Sequence, residues 1–309
     1  MSDQTAIDDS IRAAIARVDS TEIASAVRLK KERRDVLVTC ASGARHLARF
    51  EDDPRSLLRQ KWAYEQLRLG GVPCPRVEAF IERGGVGGED CLLLEWIEAE
   101  SAATALARMG RSARGAELCR ELGKALRSLH AVQVQGKVPD HVFRSTRAWA
   151  REFVEGQIAK LIEGRSVDAA FREPYLRLLL PFADRIPDPP LPNLCFTDMH
   201  FHNVLVSNGD APRAVAFVDT DEIGIGWPYW DFTNWEVWGL RFGLAWTREH
   251  ILGGYGDVDL SLYRFALLVR LSHPKTLVGS ARELAIRAVE RQDIDSFDLD
   301  ALYGTARAT

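Results

Sequence analysis

The chain has 309 residues, 46% of them hydrophobic, and a formal net charge of −4. That length and composition supply a full core and favour about two domains, while the slightly acidic balance argues against a general nucleic-acid binder. Five scattered cysteines (Cys40, Cys74, Cys91, Cys119 and Cys195) contain no CxxC pair, which argues against both a disulfide framework and a zinc site. Met1–Ser10 is polar and acidic, without the basic and apolar regions of a secretory signal. No apolar run reaches the ~18 residues of a membrane span. The expectation is a cytoplasmic protein that partners neither nucleic acid nor membrane.

Ile7, Ile11, Ala14, Ile15 and Val18 recur at helical spacing, so residues 6–19 read as an amphipathic helix. Glu22–Leu29 and Asp35–Thr39 read as strands joined by the basic turn Lys30–Arg34, with His46–Phe50 a third strand after Ser42-Gly43. Pro54 opens a helix to about Leu69 that Gly70-Gly71 stops. Val77–Ile81 and Cys91–Ile97 read as two further strands. Composition shifts at Glu98–Ser101, which predicts one unit over 1–97 and a second over 98–309. The second unit is mainly helical, with helices at Leu118–Val132, Trp149–Ile162, Tyr175–Phe182, Phe232–Phe242, Thr247–Leu252, Leu262–Leu271 and Ala281–Arg291. Three short apolar runs, Leu194–Phe196, Val204–Val206 and Ala214–Val218, read as buried strands among them. The fold class is α+β.

Those short strands carry the chemistry. Asp198 and Asn203 lie between the first two, and Asp219 ends the third. Asp198 is a candidate to orient and deprotonate a hydroxyl; its plain alternative is a turn-capping Asp. Asn203 and Asp219 offer hard oxygens of the kind magnesium takes beside phosphate, or else ordinary turn chemistry. The spacing Asp-x-x-x-x-Asn, with a later strand-terminal Asp, is the one protein kinases use. Asp198-Met-His200-Phe-His202 also suits a metal-hydrolase ligand run, yet the other histidines fit no ligand motif. Trp227, Tyr229, Trp230, Trp235, Trp238 and Trp246 crowd one region and read as packing.

Four separated segments resemble the aminoglycoside phosphotransferase and choline-kinase-like family of small-molecule kinases. They are Gly71-Val-Pro73-Cys-Pro75-Arg-Val77; Leu122-Gly-Lys-Ala-Leu126-Arg-Ser-Leu129-His130; Asp198-Met-His200-Phe-His202-Asn203; and Phe217-Val-Asp219-Thr-Asp221-Glu222-Ile-Gly224-Ile-Gly226-Trp-Pro228-Tyr-Trp-Asp231. The resemblance implies a two-lobed protein-kinase-like fold, with an N-terminal antiparallel sheet and one main helix, then a larger helical lobe. It implies transfer of the γ-phosphate of ATP or GTP, with Mg2+, to a hydroxyl of an aminoglycoside-like or other antibiotic, a sugar or an amino alcohol. Asp198 then engages the hydroxyl, and Asn203 and Asp219 hold the metal. Arg49, paired with Glu65, positions the phosphates, and the backbone of Glu95, Trp96 and Ile97 holds the adenine edge. Asp221 and Glu222 are candidates to meet the acceptor, and Asp231 is read as structural.

The chain also departs from the family pattern. Phe196-Thr197 stands where the family has His-Gly, His202 replaces the usual Gly, Arg49 fills the lysine slot, and Lys30–Asp35 contains no glycine. These departures motivate the alternative of a catalytically quiet, kinase-like nucleotide- or ligand-binding protein.

Overall fold

The computed structural model describes residues 9–29, 34–51, 53–82, 90–207, 212–273 and 279–304. After a short helix α1 (Asp9–Ile15) come strands β1 (Ile23–Arg28), β2 (Arg34–Cys40) and β3 (Arg45–Phe50). Helix α2 (Pro54–Leu69) and strands β4 (Val77–Ile81) and β5 (Cys91–Glu95) follow. The five strands form one antiparallel sheet of order β1-β2-β3-β5-β4. Asp53 caps α2 by accepting from the Arg55 amide, Pro54 occupies its first turn, and Gly70 ends it. The first helix is shorter than the periodicity predicts, with Val18 exposed beyond its end. Most of the Lys30–Arg34 turn lies outside the described residues.

Alternation along the strands gives the sheet two apolar faces. One packs Ala26, Val36, Val38, Ala48 and Leu93 under Ile11 and Ile15 of α1. The other packs Leu92 and Leu94 against Leu57, Tyr64 and Leu67 of α2, and this core runs on into the helical remainder of the chain. The position of α2 therefore couples the sheet to everything downstream.

Beyond Glu95 the order is β6 (Glu100–Ser101), α3 (Ala102–Met109), α4 (Ala113–His130), β7 (Phe143–Arg144), α5 (Arg147–Glu163), α6 (Arg172–Ala183), β8 (Leu194–Cys195), β9 (Val204–Val206), β10 (Ala214–Phe217) and β11 (Gly224–Ile225). Helices α7 (Tyr229–Arg241), α8 (Thr247–Tyr255), α9 (Leu260–Leu271), α10 (Gly279–Arg291) and α11 (Leu299–Gly304) complete it. Two small sheets, β10-β9-β6 and β7-β11-β8, anchor the loops between these strands. Ser101 turns the expected connector into a helix start, its hydroxyl accepting from the Thr104 amide of α3. Helices α4 and α8 cross at glycines. A Cβ on Gly123 would lie 2.1 Å from the Ile251 carbonyl, and one on Gly254 2.1 Å from that of Arg120. Among the described residues no helix is long and apolar enough to cross a membrane.

Candidate active site

Strand β8 leads into Phe196, which is fully buried, and Thr197, whose backbone sits at φ +56°. A non-glycine residue persists there only where its surroundings fix it. Asp231, wholly buried in the first turn of α7, does so: its carboxylate accepts from the Phe196 and Thr197 amides, each at 2.7 Å. The same carboxylate meets His130 Nε2, at the end of α4, at 2.9 Å. Asn234 donates to the Thr197 carbonyl, and the Thr197 hydroxyl donates to the Glu222 carbonyl. Asp231 thus ties the loop to two helices, which is a structural role.

Asp198 follows directly, its side chain 48% exposed. It lines a cavity of about 420 Å³ with Phe143, Trp149, Thr197, Glu222, Trp230 and Arg270. Partial burial pushes its pKa up to about 6; Arg270 pulls the value down, while Asp221, Glu222 and Asp219 push it up. A carboxylate with that pKa is ionised near neutrality and still basic enough to take a hydroxyl proton.

A single 3-10 turn, Phe201–Asn203, then feeds β9. The Asn203 side-chain amide donates to the Asp198 carbonyl at 3.1 Å, leaving the amide oxygen as its acceptor. The Val218 amide donates to the Asn203 carbonyl at 2.9 Å, and Phe217 pairs with Val204, so Asp219 leaves β10 beside the Asn203 turn. Asp219 also holds a left-handed backbone, φ +60° and ψ +60°. Asn203 and Asp219 therefore present two hard oxygen donors on neighbouring strand ends, behind one ionisable carboxylate.

Arg49 reaches this group from the sheet. It is 5% exposed, and its Nη1 donates to Asp219 Oδ1 at 3.1 Å. The pairing with Glu65 is corrected by the structure: Glu65 sits on the exposed face of α2 and pairs with Lys61 at 2.7 Å. The partner of Arg49 is Asp35, directly opposite it in the β2–β3 register and 2% exposed. Its Oδ1 and Oδ2 accept from Arg49 Nε at 2.9 Å and Nη2 at 3.3 Å. From α2 it is Gln60, not Glu65, that faces the sheet, with its Oε1 2.7 Å from Arg49 Nη1. Helical phase explains the exchange, since Leu57, Gln60, Tyr64 and Leu67 share the buried stripe that Glu65 misses.

At the end of β5 two of the three amides expected to face a nucleotide base are already used. The Glu95 amide donates to the Arg76 carbonyl at 3.0 Å and the Trp96 amide to the Arg45 carbonyl at 3.3 Å. The Ile97 amide donates to none of the described residues and is the donor that remains. Asp221 and Glu222 occupy the 3-10 turn after Asp219, and Glu222 lines the Asp198 cavity.

The ring of His200 packs on Trp238 at 4.6 Å, with its Nε2 3.7 Å from Asp198 Oδ2, and His202 meets Trp238 and Phe242 edge-on. Among the described residues, three metal-ligating His, Cys, Asp or Glu side chains gather only at Asp19, Cys40 and His46. Among the described residues the histidine run thus has no hydrolase ligand set around it. Of the crowded aromatics, Trp227, Trp230 and Trp235 are buried in the core, whereas Trp238 and Trp246 line a second cavity of about 800 Å³. Asp35, Gln60 and Arg270 are the site residues that reading the sequence did not single out.

The sequence profile of the phosphotransferase enzyme family matches residues 15–266. No curated protein matches the chain by sequence. Among solved structures, the GDP complex of wild-type aminoglycoside 2'-phosphotransferase-IIIa is 14% identical, with a TM-score of 0.63 over 97% of this chain and 98% of that one. The aminoglycoside phosphotransferase from Alicyclobacillus acidocaldarius is 12% identical, with a TM-score of 0.55 over 99% and 93%. The streptomycin-ATP-APH(2")-IIa ternary complex is 12% identical, with a TM-score of 0.51 over 95% and 99%. At such identities the likeness establishes the fold: the two-lobed, protein-kinase-like α+β architecture.

Proposed function

The chain belongs to the phosphotransferase enzyme family, and we propose that it transfers the γ-phosphoryl group of ATP or GTP, with Mg2+, to a hydroxyl of a small molecule. The observation that carries this reading is the convergence of Asp198, Asn203 and Asp219 on one loop and two strand ends, with Arg49 reaching them from the sheet. The nucleotides in similarly folded structures, GDP in one and ATP in another, agree with it. Residues 1–97 act as the nucleotide-binding lobe and 98–309 as the catalytic and substrate lobe.

The donor set suits magnesium, which takes hard oxygens and keeps room for phosphate and water. Asn203 Oδ1 and the Asp219 carboxylate would hold it, and bound there it would supply charge neutralisation for the transferring phosphoryl group. Asp198 accepts the hydrogen bond of the acceptor hydroxyl and draws off its proton as the oxygen attacks. Arg49 keeps Asp219 oriented and adds positive charge where phosphates gather, while Asp35 and Gln60 fix the guanidinium. The Ile97 amide donates to the base edge. Asp221 and Glu222 set the charge at the acceptor side. Most of the acceleration comes from positioning and charge neutralisation.

One observation favours a second reading, a protein that binds nucleotide without transferring phosphate. Arg49 is already engaged by Asp35, Gln60 and Asp219, so less of its charge faces a phosphate. Nucleotide consumption across aminoglycosides, peptide antibiotics, sugars, amino alcohols and hydroxy acids separates the two. Transfer to at least one class is expected, and Asp198→Asn should lower it on the order of 10²–10⁴-fold with magnesium-nucleotide affinity unchanged. Tight magnesium-nucleotide binding with transfer to none would establish the second reading.

A further inference from the structure

Arg270 stands out in α9, a helix whose other residues from Tyr263 to Leu271 are mostly buried and apolar. Its side chain lines the Asp198 cavity. No hydrogen bond or ion pair ties its guanidinium to any described residue, although Asp198 faces it closely enough to interact electrostatically. Burial disfavours its charge and lowers its pKa, with Asp198 the opposing influence. A cation in that position, largely withdrawn from water and without a bonded partner, is costly unless something else completes it.

The remaining wall is aromatic. Phe143 and Trp149 are half-buried and meet edge-to-face at 4.9 Å, and Trp230 closes the floor behind Trp149 at 5.2 Å. The volume, about 420 Å³, is in the range of small-molecule sites. A polycationic acceptor entering here would bring its charge towards Arg270. Glu222 weighs less here, because it is exposed and water screens it.

Resting on the kinase reading above, we infer that the acceptor is a compact hydroxylated carboxylate: its carboxylate pairs with Arg270, its apolar or aromatic body lies on Trp149 and Phe143, and its hydroxyl meets Asp198. A carboxylate fits better than a phosphomonoester. The planar guanidinium matches it bidentately, whereas a dianion would bring twice the charge up to the Asp198 carboxylate. In the transfer step the acceptor oxygen forms the new P–O bond, the bond from the γ-phosphorus to the bridging oxygen breaks, the nucleoside diphosphate leaves, and Asp198 takes the hydroxyl proton.

The test is calorimetric titration of a graded set of hydroxycarboxylates, from lactate to 3-phenyllactate, each paired with its neutral amide. Kanamycin and glycerol 2-phosphate are the cationic and phosphate probes. Wild-type protein should bind at least one acid at least tenfold more tightly than its amide. Arg270→Gln should abolish that preference, Arg270→Lys should keep part of it, and melting curves confirm that both variants are folded. Equal binding of every acid and amide by wild type would overturn the inference without needing a variant, as would a preference for kanamycin or glycerol 2-phosphate or a preference that survives in Arg270→Gln. Magnesium-ATP titrated into the same samples keeps the two readings apart: loss of nucleotide binding alone counts against the kinase reading, and loss of acid preference alone against this one.

Discussion

Replacing Asp35 by Asn tests whether the buried Asp35–Arg49 pair, rather than an Arg49–Glu65 pair, holds the centre of the site. Arg49 and Asp35 are 5% and 2% exposed, and two hydrogen bonds join them. Removing one member of such a pair leaves a charge uncompensated in a medium that solvates it poorly, at a cost of about 3–5 kcal/mol. Gln60 and Asp219 still engage Nη1, which favours the lower end, about 3 kcal/mol. At about 2.1 cal/mol/K per residue over 309 residues, that lowers the melting temperature by about 5 °C. Chemical denaturation should show the loss, and magnesium-nucleotide affinity should fall as well, because Arg49 loses its orientation. The double variant Asp35→Leu, Arg49→Met removes both charges and should recover most of the stability but none of the affinity. An Asp35→Asn protein within about 1 kcal/mol of wild type, with Glu65→Gln the more damaging change, would refute the assignment.

Two further outcomes follow from the loop geometry. In the proposed role Asp198 acts only when ionised, so with its pKa pushed up to about 6 kcat/KM should fall about tenfold per pH unit below that value. Because Arg270 pulls this pKa down and Asp221 pushes it up, Arg270→Gln should move the acid limb to higher pH and Asp221→Asn to lower pH. A wild-type acid limb near pH ~4, the ordinary carboxylate value, would contradict the raised value. Thr197→Gly relieves a left-handed backbone by about 1 kcal/mol and loses a hydroxyl bond of similar worth, so its stability should stay close to wild type. Thr197→Val loses the bond without the relief and should cost about 1 kcal/mol, and a fully stable Val variant in urea titration would show that the hydroxyl holds nothing.

Much of this arrangement is legible in the sequence because it rests on local signals. Alternation places β1 to β5, and Pro54 with Gly70-Gly71 bounds α2. The spacing of Asp198, Asn203 and Asp219 finds the loop because a short turn and one strand pairing suffice to bring them together. The partner of Arg49 was within reach too. Counting back from Cys40 and Ala44, which flank a three-residue turn at 41–43, puts Asp35 opposite Arg49, and Gln60 on the buried stripe of α2 signals a polar contact. The Glu65 assignment missed because it matched a pattern without following helical phase. Thr197 is different: nothing local marks it for a positive φ, since Asp231, Asn234 and Glu222 impose that conformation across 25 to 37 positions of chain. Arg270 could be seen as one of two cations in an apolar helix, but which cavity it lines depends on how α9 packs.

The most direct measurement of the magnesium-nucleotide assignment is calorimetric titration of magnesium-ATP and magnesium-GTP into Asp219→Ala, His200→Ala and His202→Ala. On the proposed assignment Asp219 supplies the anionic ligand beside Asn203, so its removal should abolish magnesium-dependent nucleotide binding along with activity. The two histidines pack on Trp238, and their variants should bind within a few-fold of wild type, on the order of 1 kcal/mol or less. Retention of binding in Asp219→Ala, with its loss in both histidine variants, would contradict the kinase assignment of the loop.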